Sequence, residues 1–132
     1  MGKTKIKICG LKRPEDIRIV NRLKPDFVGF VFAESKRKID KKQAGKLREA
    51  LEPDIPAVGV FVNEPIQNVT ELCREKIIQI VQLHGDEDAY YIEEIRKNLP
   101  DTPLIKAVRV QSKEQILEAE KLDVDYLLLD TY

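Results

Sequence analysis

Six short runs rich in β-branched and aromatic residues alternate with amphipathic stretches along the whole chain, at residues 5–9, 27–32, 57–62, 78–83, 104–110 and 126–129. Several are apolar at nearly every position, as in Val58-Gly59-Val60-Phe61-Val62. Strands of that kind need cover on both faces, and a helix-period segment after each one is the pattern of parallel βα units. Pro14 opens the first helix where its missing N–H is not needed, with Ile17 and Val20 as the inner stripe. Asp40 and Gln43 form a capping-box pattern for the second, whose apolar side is Ala44, Leu47 and Leu51. Pro65 opens the third, with Ile66, Val69 and Cys73 inward. The fourth turns Ala89, Ile92, Ile95 and Leu99 inward, and Ser112 with Gln115 caps the fifth. The expected order is β1α1β2α2β3α3β4α4β5α5β6, in one domain over residues 1–132.

A length of 132 residues suits one core, not two. The longest apolar run, residues 27–33, falls far short of the ~18–20 residues a membrane span needs. The N-terminus leads into a strand pattern rather than a secretory signal. A cytoplasmic protein is therefore expected, with no membrane partner. Cys9 and Cys73 make neither a disulfide framework nor a zinc spacing, so any cysteine chemistry rests on one thiol. With 23 basic and 23 acidic residues, nothing points to nucleic acid. The halves differ: residues 1–66 hold 15 Lys/Arg against 9 Asp/Glu, and residues 67–132 hold 8 against 14. Such a gradient helps copies associate head to tail or steers an anionic ligand; solvated helix faces with uneven charge are the plainer reading.

Ligands of parallel α/β architectures sit at the carboxyl ends of strands. The strand ends here read Cys9-Gly10, Phe32-Ala33, Val62-Asn63, His84-Gly85, Val110-Gln111 and Asp130-Thr131. Three carry proton-transfer groups: Cys9, His84 and Asp130. Cys9 serves as a base only as thiolate, and Lys7, two residues earlier on the same face, favours that form; as an alternative Cys9 is a small core hydrophobe. Asp130 follows three leucines, so it lies at the sheet rim or is paired; the alternative is a turn or cap aspartate. Arg37, just beyond strand two, can grip a carboxylate or phosphate with two parallel hydrogen bonds, or belong to a solvated basic loop. Gln82 and His84 share one face of strand four, and a lone histidine there is also a common structural group. No G-x-G-x-x-G, Walker A, C-x-x-C or H-E-x-x-H is present. A phospho-acceptor receiver domain lacks its acidic pair, because strands one and three end in Cys9-Gly10 and Val62-Asn63.

Six blocks taken in order resemble one family. They are Lys7-Ile8-Cys9-Gly10-Leu11, Val28-Gly29-Phe30-Val31-Phe32, Ser35-Lys36-Arg37, Val58-Gly59-Val60-Phe61-Val62-Asn63, Val81-Gln82-Leu83-His84-Gly85 and Leu128-Leu129-Asp130-Thr131. The sequence is similar to phosphoribosylanthranilate isomerase of tryptophan biosynthesis. That resemblance implies a cofactor-free, metal-free Amadori rearrangement of N-(5-phosphoribosyl)anthranilate to 1-(2-carboxyphenylamino)-1-deoxyribulose 5-phosphate. It implies Cys9 as the general base, Asp130 as the general acid and Arg37 as the anthranilate carboxylate clamp, with Gln82 and His84 binding substrate.

The implied fold is a partial (βα)8 TIM barrel of about five βα units plus a sixth strand, C-terminally truncated before the segments that grip the substrate phosphate. On that expectation activity is weak or absent, and the alternative is an inactive self-associating half-barrel of the same family. Its open edge is expected to be hidden in a homo-oligomer, a dimer above all, by a complementing C-terminal fragment, or by rearrangement into a flavodoxin-like doubly wound sheet. Lys12 stands where the family commonly has threonine, which is expected to weaken the first helix's N-cap.

Overall fold

The computed structural model describes residues 4–130; residues 1–3 and Thr131, which closes the sixth block, lie outside it. The elements run β1 (Lys7–Cys9), α1 (Pro14–Leu23), β2 (Phe27–Val31), α2 (Lys41–Ala50), β3 (Ala57–Phe61), α3 (Ile66–Arg74), β4 (Ile80–Leu83), α4 (Ala89–Asn98), β5 (Leu104–Arg109), α5 (Lys113–Glu120) and β6 (Tyr126–Asp130). The order matches the sequence expectation. Most strands are shorter, because apolar residues such as Ile78 and Val62 belong to the flanking connections.

All strand pairs are parallel and the sheet order is β1-β2-β3-β4-β5-β6. The doubly wound alternative is therefore corrected: a flavodoxin-like sheet places β1 inside, between β2 and β3, whereas here β1 lies at an edge. Crossovers of one hand, each to the next strand, put every helix on the same face and leave the other face to curl. The curl is visible in one bond. Lys7 Nζ on β1 donates to Gln82 Oε1 on β4 at 2.5 Å. In a flat sheet strands three places apart are about 14 Å from each other, too far for that contact without curvature.

The core lies between the helices and the convex face. Val28, Phe30, Phe61, Val81, Leu83 and Leu104 meet Ile17, Val20, Leu47, Val69, Ile92 and Ile95 in one buried cluster. Phe32 and Phe61 stack with centroids 5.2 Å apart. Ala89 is exposed, contrary to the inward stripe expected of α4; it starts the first turn, and the acidic Glu87 before it is buried instead. β6 is the least covered strand, with Tyr126, Leu128 and Leu129 exposed.

Two capping expectations change. Asp40 accepts from Gln43 N at 2.8 Å as foreseen, but the Gln43 side chain donates to Lys12 O at 2.7 Å instead of folding back. Helix α1 is capped from within, since the Asp16 carboxylate accepts from Lys12 N and Arg13 N at 3.1 Å each. Lys12 thus costs the helix nothing as a cap; its Nζ donates to Lys36 O at 2.8 Å and ties the loop after β1 to the loop after β2.

Candidate active site

Alternation along the strands sends Lys7, Cys9, Gly29, Gln82, His84 and Asp130 to the concave face, away from the helices. Cys9 closes β1 and lies against Gly29 of β2. A Cβ built on Gly29 meets the Cys9 Sγ at 2.6 Å, so only glycine leaves room for the thiol there. Gly10 follows with φ +84°, in the left-handed region, and a Cβ on it collides with the Arg37 stem. Arg37 is in turn held by its backbone N–H, which donates to Ser35 Oγ at 3.0 Å. Two glycines thereby bring the thiol and the guanidinium side chain to the same corner of the mouth.

At the opposite side, His84 Nε2 lies 3.7 Å from Asp130 Oδ2. Gln82, 3% exposed, has its Nε2 3.5 Å from His84 Nδ1 and its Oε1 on Lys7. The sequence-predicted residues therefore fall into two groups. Cys9 and Arg37 lie at the β1/β2 end, against Gly29 and Gly10, and Gln82, His84 and Asp130 form a row from β4 to β6, tied back to β1 through Lys7. Gln82 is buried inside this row rather than open at its surface. His84, Asn63, Asp86 and Arg109 line a cavity of about 420 Å³ at the carboxyl ends of β3 to β5.

A buried carboxylate holds the loops of that cavity. Glu87 accepts from Asn63 N and Gly85 N at 2.8 Å each and from Lys106 Nζ at 2.9 Å, and Lys106 also donates to Gly85 O at 2.6 Å. Burial alone would raise the Glu87 carboxyl, but the Lys106 ammonium and the backbone donors prevail and hold it below its ordinary value. Asn63, at φ 49°, completes the corner by accepting from Asp86 N at 2.9 Å. Sequence reasoning did not single out Gly29, Glu87 or Lys106. Gly29 inside an apolar strand was a legible sign of close approach; a charge within the otherwise apolar strand β5 was the sign for Lys106.

The second thiol is a poor candidate base: burial pushes Cys73 up to about 11. Among the described residues, no three His, Cys, Asp or Glu side chains are grouped as metal ligands. Nor is any helix among the described residues long and apolar enough to cross a membrane. A thiol and an arginine at one end of the rim, with a carboxyl and an imidazole at the other, suit proton transfer on an anionic substrate.

The family model described as N-(5'-phosphoribosyl)anthranilate (PRA) isomerase matches residues 6–132. The chain belongs to this family. It is 56% identical over 128 residues to the N-(5'-phosphoribosyl)anthranilate isomerase of Lachnoclostridium phytofermentans, covering 97% of this chain and 58% of that protein. The Endomicrobium trichonymphae isomerase is 49% identical, with 97% and 62% covered. The crystal structure of phosphoribosyl anthranilate isomerase from Thermotoga maritima is similar with a TM-score of 0.86 at 32% identity, over 98% of this chain and 62% of that one. An isomerase crystallised with reduced 1-(o-carboxyphenylamino)-1-deoxyribulose 5-phosphate gives 0.84 at 32% identity, over 98% and 66%. The chain thus spans about three fifths of the length of the relatives it matches. The curled, in-order sheet is the corresponding part of the family's fold.

Proposed function

We propose that this chain carries the proton-transfer half of a phosphoribosylanthranilate isomerase site and acts in tryptophan biosynthesis on a phosphorylated small molecule. In this reading Asp130 gives its proton to the ribose ring oxygen as the C1–O bond opens, and the Cys9 thiolate takes the proton from C2. The enolamine so formed relaxes to the 1-amino-2-ketose, the Amadori product. Arg37 holds the anthranilate carboxylate, and His84 stands beside Asp130 at the substrate's edge. The observation that carries the reading is the Cys9 thiol at the concave end of β1, with Arg37 packed against the Gly10 that follows it, in a chain of this family. The reaction needs an acceptor for a carbon proton and a donor to oxygen around one substrate, which is what a rim of this kind can supply. A relative from Thermotoga maritima is described as dimeric; a second copy of this chain is the partner we propose, and the exposed apolar residues of β6 support it.

The test is to supply phosphoribosylanthranilate and follow the loss of its fluorescence with the unaltered chain, Cys9→Ala and Asp130→Asn. Turnover abolished in both variants is expected. Absence of turnover in the unaltered chain at high concentration overturns the reading in favour of an inactive, self-associating half-barrel.

A further inference from the structure

Two part-buried contacts on the concave face fix something the site's roles leave open, namely which ring nitrogen of His84 carries the proton. The Lys7 ammonium has donors only, and its Nζ lies 2.5 Å from the Gln82 side chain. The amide must therefore turn its oxygen to Lys7, since the opposite orientation sets NH2 against NH3⁺ in a residue only 3% exposed. With the oxygen committed, the amide NH2 faces His84 Nδ1 at 3.5 Å. A neutral imidazole offered a donor at Nδ1 accepts there and keeps its hydrogen on Nε2. That nitrogen is the one 3.7 Å from Asp130 Oδ2.

We propose that Lys7 and Gln82 are positioning residues that set the tautomer of His84, so that its neutral ring presents an Nε2–H donor to Asp130. The inference deepens the proposed reaction, on which its catalytic meaning rests. As Asp130 gives up its proton, an N–H is already aimed at the charge that develops, with no reorientation at that moment. The other tautomer turns a nitrogen lone pair on the carboxylate's own lone pairs. Lys7, on the far side of the mouth, thus acts on the acid through two intervening side chains.

His84 is the chain's one histidine, so its two ring nitrogens are read without assignment ambiguity. Long-range proton–nitrogen correlation spectra of the full chain with ¹⁵N-labelled histidine, at about pH 8 where an ordinary imidazole is neutral, give the tautomer directly. The unaltered chain is expected to show Nε2 protonated and Nδ1 bare. Lys7→Met frees the amide and yields comparable populations of both tautomers, whereas Lys7→Arg, still a donor-only cation, restores one. Gln82→Glu sets a carboxylate opposite Nδ1 and moves the hydrogen there. An Nδ1-protonated ring or an even mixture in the unaltered chain overturns the proposal, and this needs no variant to fold. Unchanged spectra in folded Lys7→Met and Gln82→Glu overturn it as well. Fluorescence turnover on the same samples separates the two readings: the expected tautomers without turnover remove the reaction and keep the positioning, and turnover with the wrong tautomer does the reverse.

Discussion

Lys106 and Lys7 sit on opposite faces of one sheet, and their surroundings differ as the faces do. Lys106 points to the helix-covered side, is 7% exposed, and meets Glu87 and Gly85 O in a closed set of bonds around two loops. Lys7 points to the concave side and is only half-buried; its bond to Gln82 leads onward through His84 to Asp130. Around Lys106 on the convex side, burial is nearly complete and the ammonium is spent on holding the structure. The concave side keeps groups whose donors and acceptors run in a row toward the mouth. The difference teaches that strand alternation divides stability from chemistry residue by residue.

The largest effect expected to test that division is on the concave side. Cys9→Ala and Asp130→Asn each lower turnover by about 10²–10⁴-fold, with the thermal midpoint unmoved; a large loss of stability in either breaks the division. On the other face, Lys106→Met leaves Glu87 buried without its cation and costs about 3–5 kcal/mol in urea unfolding. Its remaining folded fraction should turn over normally, and a specific loss of activity would erase the contrast.

Gly29→Ala pushes on the Cys9 thiol, since the added methyl lies 2.6 Å from Sγ. A displacement of that order lowers turnover about 10²-fold, measured against an unfolding midpoint that shifts little. Acid sharpens the convex side further. Glu87 is held below its ordinary 4.5 in the folded chain, so its contribution is complete above that value and fades as pH falls through the lower folded one. Thermal midpoints between about pH 7 and pH 3 should therefore fall more steeply in the unaltered chain than in Glu87→Gln, which starts lower. The smallest effect belongs to neither face: Asp16→Ala uncaps α1 and costs about 1 kcal/mol, read by urea unfolding.

Much of this molecule was legible in its letters. The β-branched runs and their helix spacing placed every strand within a few residues, because each run is a local signal of burial. Strand-end residues likewise marked Cys9, His84 and Asp130 as rim groups. Ala89 misled because an apolar residue in a first helical turn has no core opposite it, and Gln43 misled because a long amide took a partner from a loop 31 residues away. Lys12 looked like a weakened cap for a related reason: the capping group, Asp16, came from inside the helix.

By itself the sequence determined the βα alternation, the residue types on the rim and the family, since these depend on periodicity and on ordered local blocks. Tertiary structure alone decided that the sheet curls instead of lying flat, that Gly29 and Gly10 seat the thiol and Arg37, and that Lys7 reaches Gln82. Those facts join residues 20, 27 and 75 positions apart, and no local pattern encodes which distant partner a side chain will meet until crossovers of one hand have rolled the strands toward each other.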